Sequence, residues 1–221
     1  SLETYALEIT HIIKTSLSHI KQRAEFNIKH FHEQQYQGIM EKYNKDIMKE
    51  IDKLVIAIDF MSKYTRSEKN WEEFNTKNII FNVFESYAPI LEREKIKYII
   101  EIQDNIILNY NIVLFQDIIT NLLNNSIKAM KDIEDRTIKV SAFTEGDELN
   151  ILFSDNGTGI KKEDKERIFE IYHTTTAEDG GNGMGLYMVK TNLTAIKATI
   201  KVVDSEINNG ATFKLEIPFK R

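Results

Sequence analysis

The 221-residue sequence contains no cysteine, only two prolines and only nine glycines. Without cysteine there is no disulfide and no thiolate metal site. That suits a cytoplasmic location. No apolar run approaches the about eighteen residues that would mark a membrane-spanning helix, and the start shows no signal-peptide pattern. An excess of basic residues is also missing. The net charge is −5, so composition gives no reason to expect a nucleic-acid partner. The chain begins at Ser1 rather than methionine, which reads as a segment of a longer protein. Any membrane attachment would then come through a segment upstream of it. What is present is a 42% apolar fraction, enough to build a core.

Residues 1–68 hold one glycine, Gly38, and no proline. Ile9, Ile13, Leu17, Ile20, Ala24, Ile28 and Phe31 alternate spacings of three and four, which is helical. The pattern resumes after Gly38 at Ile39, Tyr43, Ile47, Ile51, Leu54, Ile58, Met61 and Tyr64. This predicts two long helices joined by a turn near Gln35–Gly38. One hairpin cannot bury such stripes by itself. Two hairpins paired into a four-helix bundle can, so the expected state is a homodimer through residues 1–68.

From Trp71 onward the pattern changes. Lys97–Ile102, Thr137–Phe143, Leu149–Ser154, Thr199–Val203 and Thr212–Pro218 read as strands, rich in β-branched and aromatic residues. Asn111–Lys131, Lys161–Phe169 and the run after Gly185 read as helices. Ser67–Asn78 is polar and reads as the linker. No internal repeat and no low-complexity tract is present. Strands and helices mix without regular βαβ alternation, which predicts α+β, an α/β sandwich with helices on one face of a mixed sheet.

Two glycine-rich loops lie in this second region. The first is Asp155-Asn156-Gly157-Thr158-Gly159-Ile160 and the second Gly180-Gly181-Asn182-Gly183-Met184-Gly185-Leu186. A helix carrying Asn121-Leu122-Leu123-Asn124-Asn125-Ser126-Ile127-Lys128-Ala129 precedes them. Glycine lets backbone approach a ligand closely. Backbone N–H groups at such loops and at a following helix start suit phosphate. A side-chain amide supplies an oxygen to Mg²⁺, which keeps a shell of water and phosphate. In this order the three segments make a nucleotide site.

Residues 75–221 resemble the ATP-binding domain shared by sensor histidine kinases, DNA gyrase, heat-shock chaperone ATPases and mismatch-repair ATPases. The resemblance implies ATP and Mg²⁺ as ligands. It implies that Asn125 holds Mg²⁺ and that Asp155 accepts a hydrogen bond from the adenine amino group, with Gly157 and Gly159 behind it. Ile168-Phe169-Glu170 with Tyr172 resembles the family's F box. Gly183-Met184-Gly185-Leu186 resembles its second glycine box, and Asn209-Gly210-Ala211-Thr212-Phe213 the glycine turn before the closing strand. Gly181 belongs to the same glycine-rich loop. Lys128, one turn after Asn125, is a candidate phosphate contact, and equally a solvated lysine. Thr175 opens a short lid from about Thr174 to Asn182, where a hydroxyl could touch phosphate; a threonine run is also ordinary loop.

The position four residues before Asn125 separates branches of this family. In the hydrolytic branches it is a glutamate that activates water; here it is Asn121. An amide is no general base at neutral pH. Asn-x-x-x-Asn is common in the histidine-kinase branch, so the resemblance favours phosphoryl transfer to a protein over hydrolysis.

The histidine-kinase acceptor motif, His-Glu-x-x-x-Pro-Leu-x-x-Ile, aligns with His11 through Ile20. His11 takes the acceptor position, Thr15 the polar position four on, and Leu17 and Ile20 the buried pair. His11, Thr15, Ser18 and Gln22 share one polar stripe. The glutamate is replaced by Ile12 and the proline by Ser16. Loss of the adjacent acid implies slow transfer, since general base catalysis contributes about 10²–10⁴-fold. His19 ranks second as acceptor and His32, beside Glu33, third. A metal site at His30 and His32 is disfavoured, because residues two apart do not share a helix face.

The reading is thus a histidine kinase core that phosphorylates itself and passes phosphate to a response-regulator receiver domain, the last step implied by the resemblance alone. Its rivals are a non-catalytic nucleotide switch, for which Ile12 speaks; a phosphatase of the partner, through Thr15; a family ATPase, against which Asn121 speaks; and a plain dimerisation module.

Overall fold

The computed structural model describes residues 2–67, 71–170, 185–194, 196–205 and 209–219, with side chains from residue 9 onward except at 56 and 59–67. The chain divides into two compact units, Ser1–Arg66 and Ser67–Arg221.

The first unit is a helical hairpin of α1 (Leu2–Lys29) and α2 (Gln37–Ser67). The antiparallel register is marked by Arg23 facing Asp46 at 3.6 Å and by Asn27 donating to Asn44 at 2.8 Å. The turn falls earlier than the Gln35–Gly38 expected from sequence. Helix α1 stops at Lys29, a 3₁₀ turn spans Gln34–Tyr36, and Gly38 lies inside α2. A knot of side chains sets the break. The His30 ring packs on Phe26 and Tyr36, centroids 4.5 and 4.6 Å away, and its Nδ1 lies 2.7 Å from Glu33 Oε1. Glu33, which follows His32 in sequence, pairs with His30. Hydrogen bonds from His30 and then Gln35 hold the Glu33 carboxyl below its usual range.

The second unit has the expected α+β architecture. Five strands, β2 (Lys97–Ile102), β4 (Thr137–Glu145), β5 (Glu148–Asp155), β6 (Thr199–Ser205) and β7 (Ala211–Pro218), form one mixed sheet in the order β2-β4-β5-β7-β6. Only β2–β4 is parallel. A separate two-stranded ribbon pairs β1 (Glu72–Asn75) with β3 (Ile107–Tyr110). Helices α3 (Thr76–Ser86) and α6 (Gly185–Thr194) both pack on α5 (Ile112–Ala129), with α5 against β5 and α6 against β6; α4 (Ala88–Arg93) follows α3.

Alternation along the strands decides which face is covered. On β5, Leu149, Ile151 and Phe153 are fully buried, and on β7 Ala211, Phe213, Leu215 and Ile217 are buried. The opposite face of β7 is polar. There Glu216 accepts from Lys201 and Lys214 at 2.9 and 2.8 Å, hydrogen bonds that draw its pKa down to about 2. Helix α5 answers the covered face with buried Leu114, Phe115, Ile118, Ile119, Leu122, Leu123 and Ser126.

Two expectations are corrected here. Lys161–Phe169 is no α-helix; the described backbone makes two 3₁₀ turns, Lys162–Asp164 and Arg167–Phe169. The stretch from Lys161 to Arg167 is almost wholly charged and offers no apolar stripe to bury. The proposed linker Ser67–Asn78 contains β1 and the first turn of α3. Asn75, within it, is the N-cap of α3, its side chain accepting from Asn78 N–H at 2.9 Å. Among the described residues no helix is long and apolar enough to cross a membrane.

Candidate functional site

Asp155 closes the row Leu149, Ile151, Phe153 on β5, so pleating turns its carboxylate toward the helix layer. Its Oδ1 accepts from Gly157 N–H at 2.9 Å and its Oδ2 from the Ser126 hydroxyl at 2.8 Å. Burial pushes its pKa above the usual carboxylate range; hydrogen bonds from Gly157, Ser126 and Ala211 oppose that rise without cancelling it. Each oxygen keeps acceptor capacity for a ligand N–H.

The loop after Asp155 is shaped by close approach to the end of α5. Thr158 N–H donates to Ala129 O at 3.0 Å. A Cβ at Gly157 would lie 2.7 Å from that same oxygen, so only glycine fits. Asn156 ties the loop to the sheet, accepting from Thr137 N–H at 2.8 Å and donating to Asp135 O at 2.6 Å. Gly159 follows with φ 73. Gly210 has φ 84, and a Cβ there would collide with the Asp155 carbonyl, so the last glycine turn buttresses the same strand end.

Asn121 and Asn125 lie one helical turn apart on α5, and the start of α6 backs onto both. A Cβ at Gly185 would stand 3.0 Å from Asn121 Oδ1 and 3.8 Å from Asn125 Nδ2. Asn121 donates to Asp117 O at 2.8 Å. Asn125 makes no side-chain hydrogen bond with the described residues, and its buried Nδ2 has no partner. Asn124 is drawn elsewhere, donating to the Tyr87 hydroxyl at 3.0 Å. Lys128 is exposed in the last turn of α5. Leu186 packs against the hydrophobic core. Phe169 is buried, edge-on to Phe213 with centroids 6.4 Å apart, and Lys190 Nζ stands 5.8 Å from its ring centre. The expectations at Tyr172, Thr175, Gly181 and Gly183 lie outside the described residues.

On α1, His11 and Thr15 are exposed on one stripe with Ser18 and Gln22. Among the described residues no carboxylate pairs with His11. His19 does face one, with Nδ1 3.6 Å from Glu50 Oε1. Glu50 is buried, hydrogen-bonded by Ser16 and by Lys53, and these hold its carboxyl low against the cost of burial. Ser16, aligned with the motif's proline, is thus an inter-helix contact.

Sequence reasoning passed over Ser126 and Asn156. Ser126 carried a signal: it is the one polar member of the buried face of α5, and a buried hydroxyl needs a partner.

A mixed sheet covered by helices on one face, with a recessed carboxylate, the Gly157–Gly159 loop and the Gly210 turn at one strand end and two amides on the neighbouring helix, fits a nucleotide-binding domain. Residues 110–221, half of the chain, match the model of the histidine kinase-, DNA gyrase B- and HSP90-like ATPase family. The chain belongs to this family, and the relatives it is similar to include sensor kinases. It is 29% identical to the sensor protein RprX of Bacteroides fragilis over 84% of its own length and 36% of that protein's. It thus spans about a third of this relative. In fold it is similar to the Acinetobacter baumannii histidine kinase AdeS, with a TM-score of 0.61 and 17% identity over 96% of this chain and 98% of that one. A crystal structure of histidine kinase ThkA in complex with response regulator protein TrrA matches with a TM-score of 0.60 and 19% identity, over 98% of this chain and 62% of that one.

Proposed function

We propose that this chain is the ATP-dependent core of a two-component histidine kinase. Residues 75–221 bind Mg-ATP, and residues 1–68 form a homodimeric hairpin that carries the phosphoacceptor. The observation that supports this most is the recessed Asp155, with acceptor capacity left on both oxygens, at the strand end where Gly157 and Gly210 approach. Asp155, Gly157 and Gly159 take the adenine, and Gly185 with Leu186 opens the helix on the phosphate side. Asn125 holds Mg²⁺, which supplies charge neutralisation at the phosphates. Mg²⁺ held through one such amide would complete its shell largely with water and phosphate. Lys128, Thr175, Gly181 and Gly183 stand as phosphate contacts.

The acceptor is His11, by its place in the motif. An imidazole nitrogen attacks the γ-phosphorus, the bond to the β–γ bridging oxygen breaks, and ADP leaves. The protein's part is positioning and electrostatic stabilisation. Asn121 supplies no base for water, which sets the ATPase reading aside. Transfer onward to an aspartate of a receiver domain follows from the family. The work takes place in the cytoplasm, where ATP is.

A second reading has one observation in its favour. Ile12 replaces the acid, and no described carboxylate compensates at His11, so a nucleotide switch without phosphotransfer fits equally. Thr15, exposed one turn after His11, suits instead a chain that chiefly dephosphorylates its partner. Incubation with γ-labelled ATP and mapping of acid-labile phosphohistidine separates these. We expect slow labelling that His11→Ala abolishes and Ile12→Glu accelerates, by about 10²-fold or more if the acid acts as general base. Label surviving in His11→Ala and lost in His19→Ala would move the acceptor. Normal ATP binding without label in any variant would establish the switch.

A further inference from the structure

The Asp155 carboxylate accepts from the Gly157 backbone on Oδ1 and from the Ser126 hydroxyl on Oδ2. Ser126 is 1% exposed and ends the apolar stripe of α5. An ionised carboxylate only accepts hydrogen bonds, whereas a protonated one carries an O–H that donates. The same distinction separates two classes of purine. An adenine presents an exocyclic amino group, a donor. Hypoxanthine presents a carbonyl in its place, an acceptor. The ionised form, which only accepts, therefore favours the amino-purine, whereas the protonated form adds a donor that an oxo-purine can use.

Burial disfavours the charged form. Three groups oppose burial: the backbone N–H of Gly157, the Ser126 hydroxyl, and the backbone N–H of Ala211 on β7. Among the described residues no ionised side chain from α5, β7 or the glycine loop acts on Asp155. Two of the three donors are main chain and come with the fold. Ser126 alone is a side chain, reached across 29 residues of sequence, and so is a choice of residue rather than a consequence of the strand.

We propose that Ser126 is a specificity-determining positioning residue, whose hydroxyl donates to Oδ2 and so keeps Asp155 an acceptor, setting the site's preference for amino-purine over oxo-purine nucleotides. This rests on the reading of Asp155 as the base-recognising carboxylate. Ser126 acts through Asp155 and need not touch the nucleotide. A purely structural hydroxyl would affect both nucleotides alike; one that holds a protonation state would affect them differently, and in a pH-dependent way.

The test is equilibrium binding of ATP and inosine triphosphate to the full chain, from mildly acidic to neutral pH. The proteins are wild type, Ser126→Ala and Ser126→Cys, whose thiol is a nearly isosteric but weaker donor. Wild type should prefer ATP, with affinity falling as pH drops. Ser126→Ala should lose roughly tenfold in ATP affinity near neutral pH, change little for inosine triphosphate, and move the pH at which ATP binding falls upward. Ser126→Cys should lie between. Equal losses for both nucleotides with an unmoved pH profile, or no loss at all, would overturn the proposal. ATP binding that is absent in wild type, or undiminished in Asp155→Asn, would overturn the Asp155 reading and the proposal with it.

Discussion

At the scale of single residues the site works against the stability of the free protein. The folded-state pKa of Asp155 is raised, chiefly by burial. A carboxyl with a raised pKa binds its proton more tightly folded than unfolded. Its contribution to stability therefore declines as pH rises from the usual carboxylate range through the raised value, and stays reduced at neutral pH. Asp155→Asn removes the charge and keeps the shape. Its oxygen can accept from Gly157, and its amide can donate to Ser126. The nucleotide-free variant should melt higher than wild type at neutral pH, the gap closing toward acid where wild type is itself protonated. ATP binding should be lost in the same variant. A lower melting temperature at neutral pH would contradict the assigned shift. Trading stability for a functional charge is common at binding sites. Asp155, Asn121, Asn125 and the glycines were legible in the sequence because they cluster within short segments. The Ser126–Asp155 hydrogen bond was not, because its partner lies on another element, nor was the His30–Glu33 pair, because sequence adjacency does not report where a turn points its side chains.

At the scale of elements, legibility followed how local the determinants are. The five strands of the main sheet and α5 announce themselves through alternation or a helical stripe. The β1–β3 ribbon was missed because four-residue strands carry little pattern and their pairing is nonlocal. Helix α3 was hidden because its cap, Asn75, sits among polar residues that read as linker. The hairpin turn was misplaced because Gly38 looks like a breaker, whereas the break comes from the aromatic packing around His30. The junction of β5 with α5 yields a testable consequence. In Gly157→Ala the new methyl would meet the Ala129 carbonyl at 2.7 Å, and the loop would have to lift off the end of α5. The Thr158 bond to Ala129 O would be lost as well. Overpacking of this kind costs about 1–3 kcal/mol, so urea unfolding should show that loss with an unchanged slope. ATP affinity should fall too, since the same loop presents Asp155. Wild-type stability in Gly157→Ala would mean that the loop yields freely and does not hold the site.

At the scale of the whole molecule, the unfinished part is the hairpin. Met48, Ile51, Val55 and Ile58 on α2 repeat at spacings of three, four and three and are 59%, 39%, 59% and 60% exposed. That is a coiled-coil seam that the described residues of the hairpin leave uncovered. On α1, Leu17 and Ile28 are 52% and 78% exposed. The sequence showed the stripes but mixed two faces in one list: Ile47 and Leu54 are half-buried within the hairpin, while Ile51 and Ile58 look outward. Burying an aliphatic side chain fully is worth about 1.5–3 kcal/mol, so two copies of this seam favour a four-helix bundle. Val55→Glu puts a charge into the seam while leaving the intra-hairpin contacts of Arg23, Asn27 and Glu50 untouched. The cost of an unpaired polar group, on the order of 3 kcal/mol, would weaken dimerisation roughly a hundredfold. Light scattering at micromolar concentration should therefore give a dimer for wild type and a monomer for Val55→Glu, each still helical by circular dichroism. ATP binding should survive in the monomer, because its determinants all lie in residues 121–186, whereas labelling of His11 would be lost if transfer runs between the two chains and kept if it runs within one. A wild type that scatters as a monomer would leave the exposed seam without the partner argued for it and would sink the four-helix arrangement.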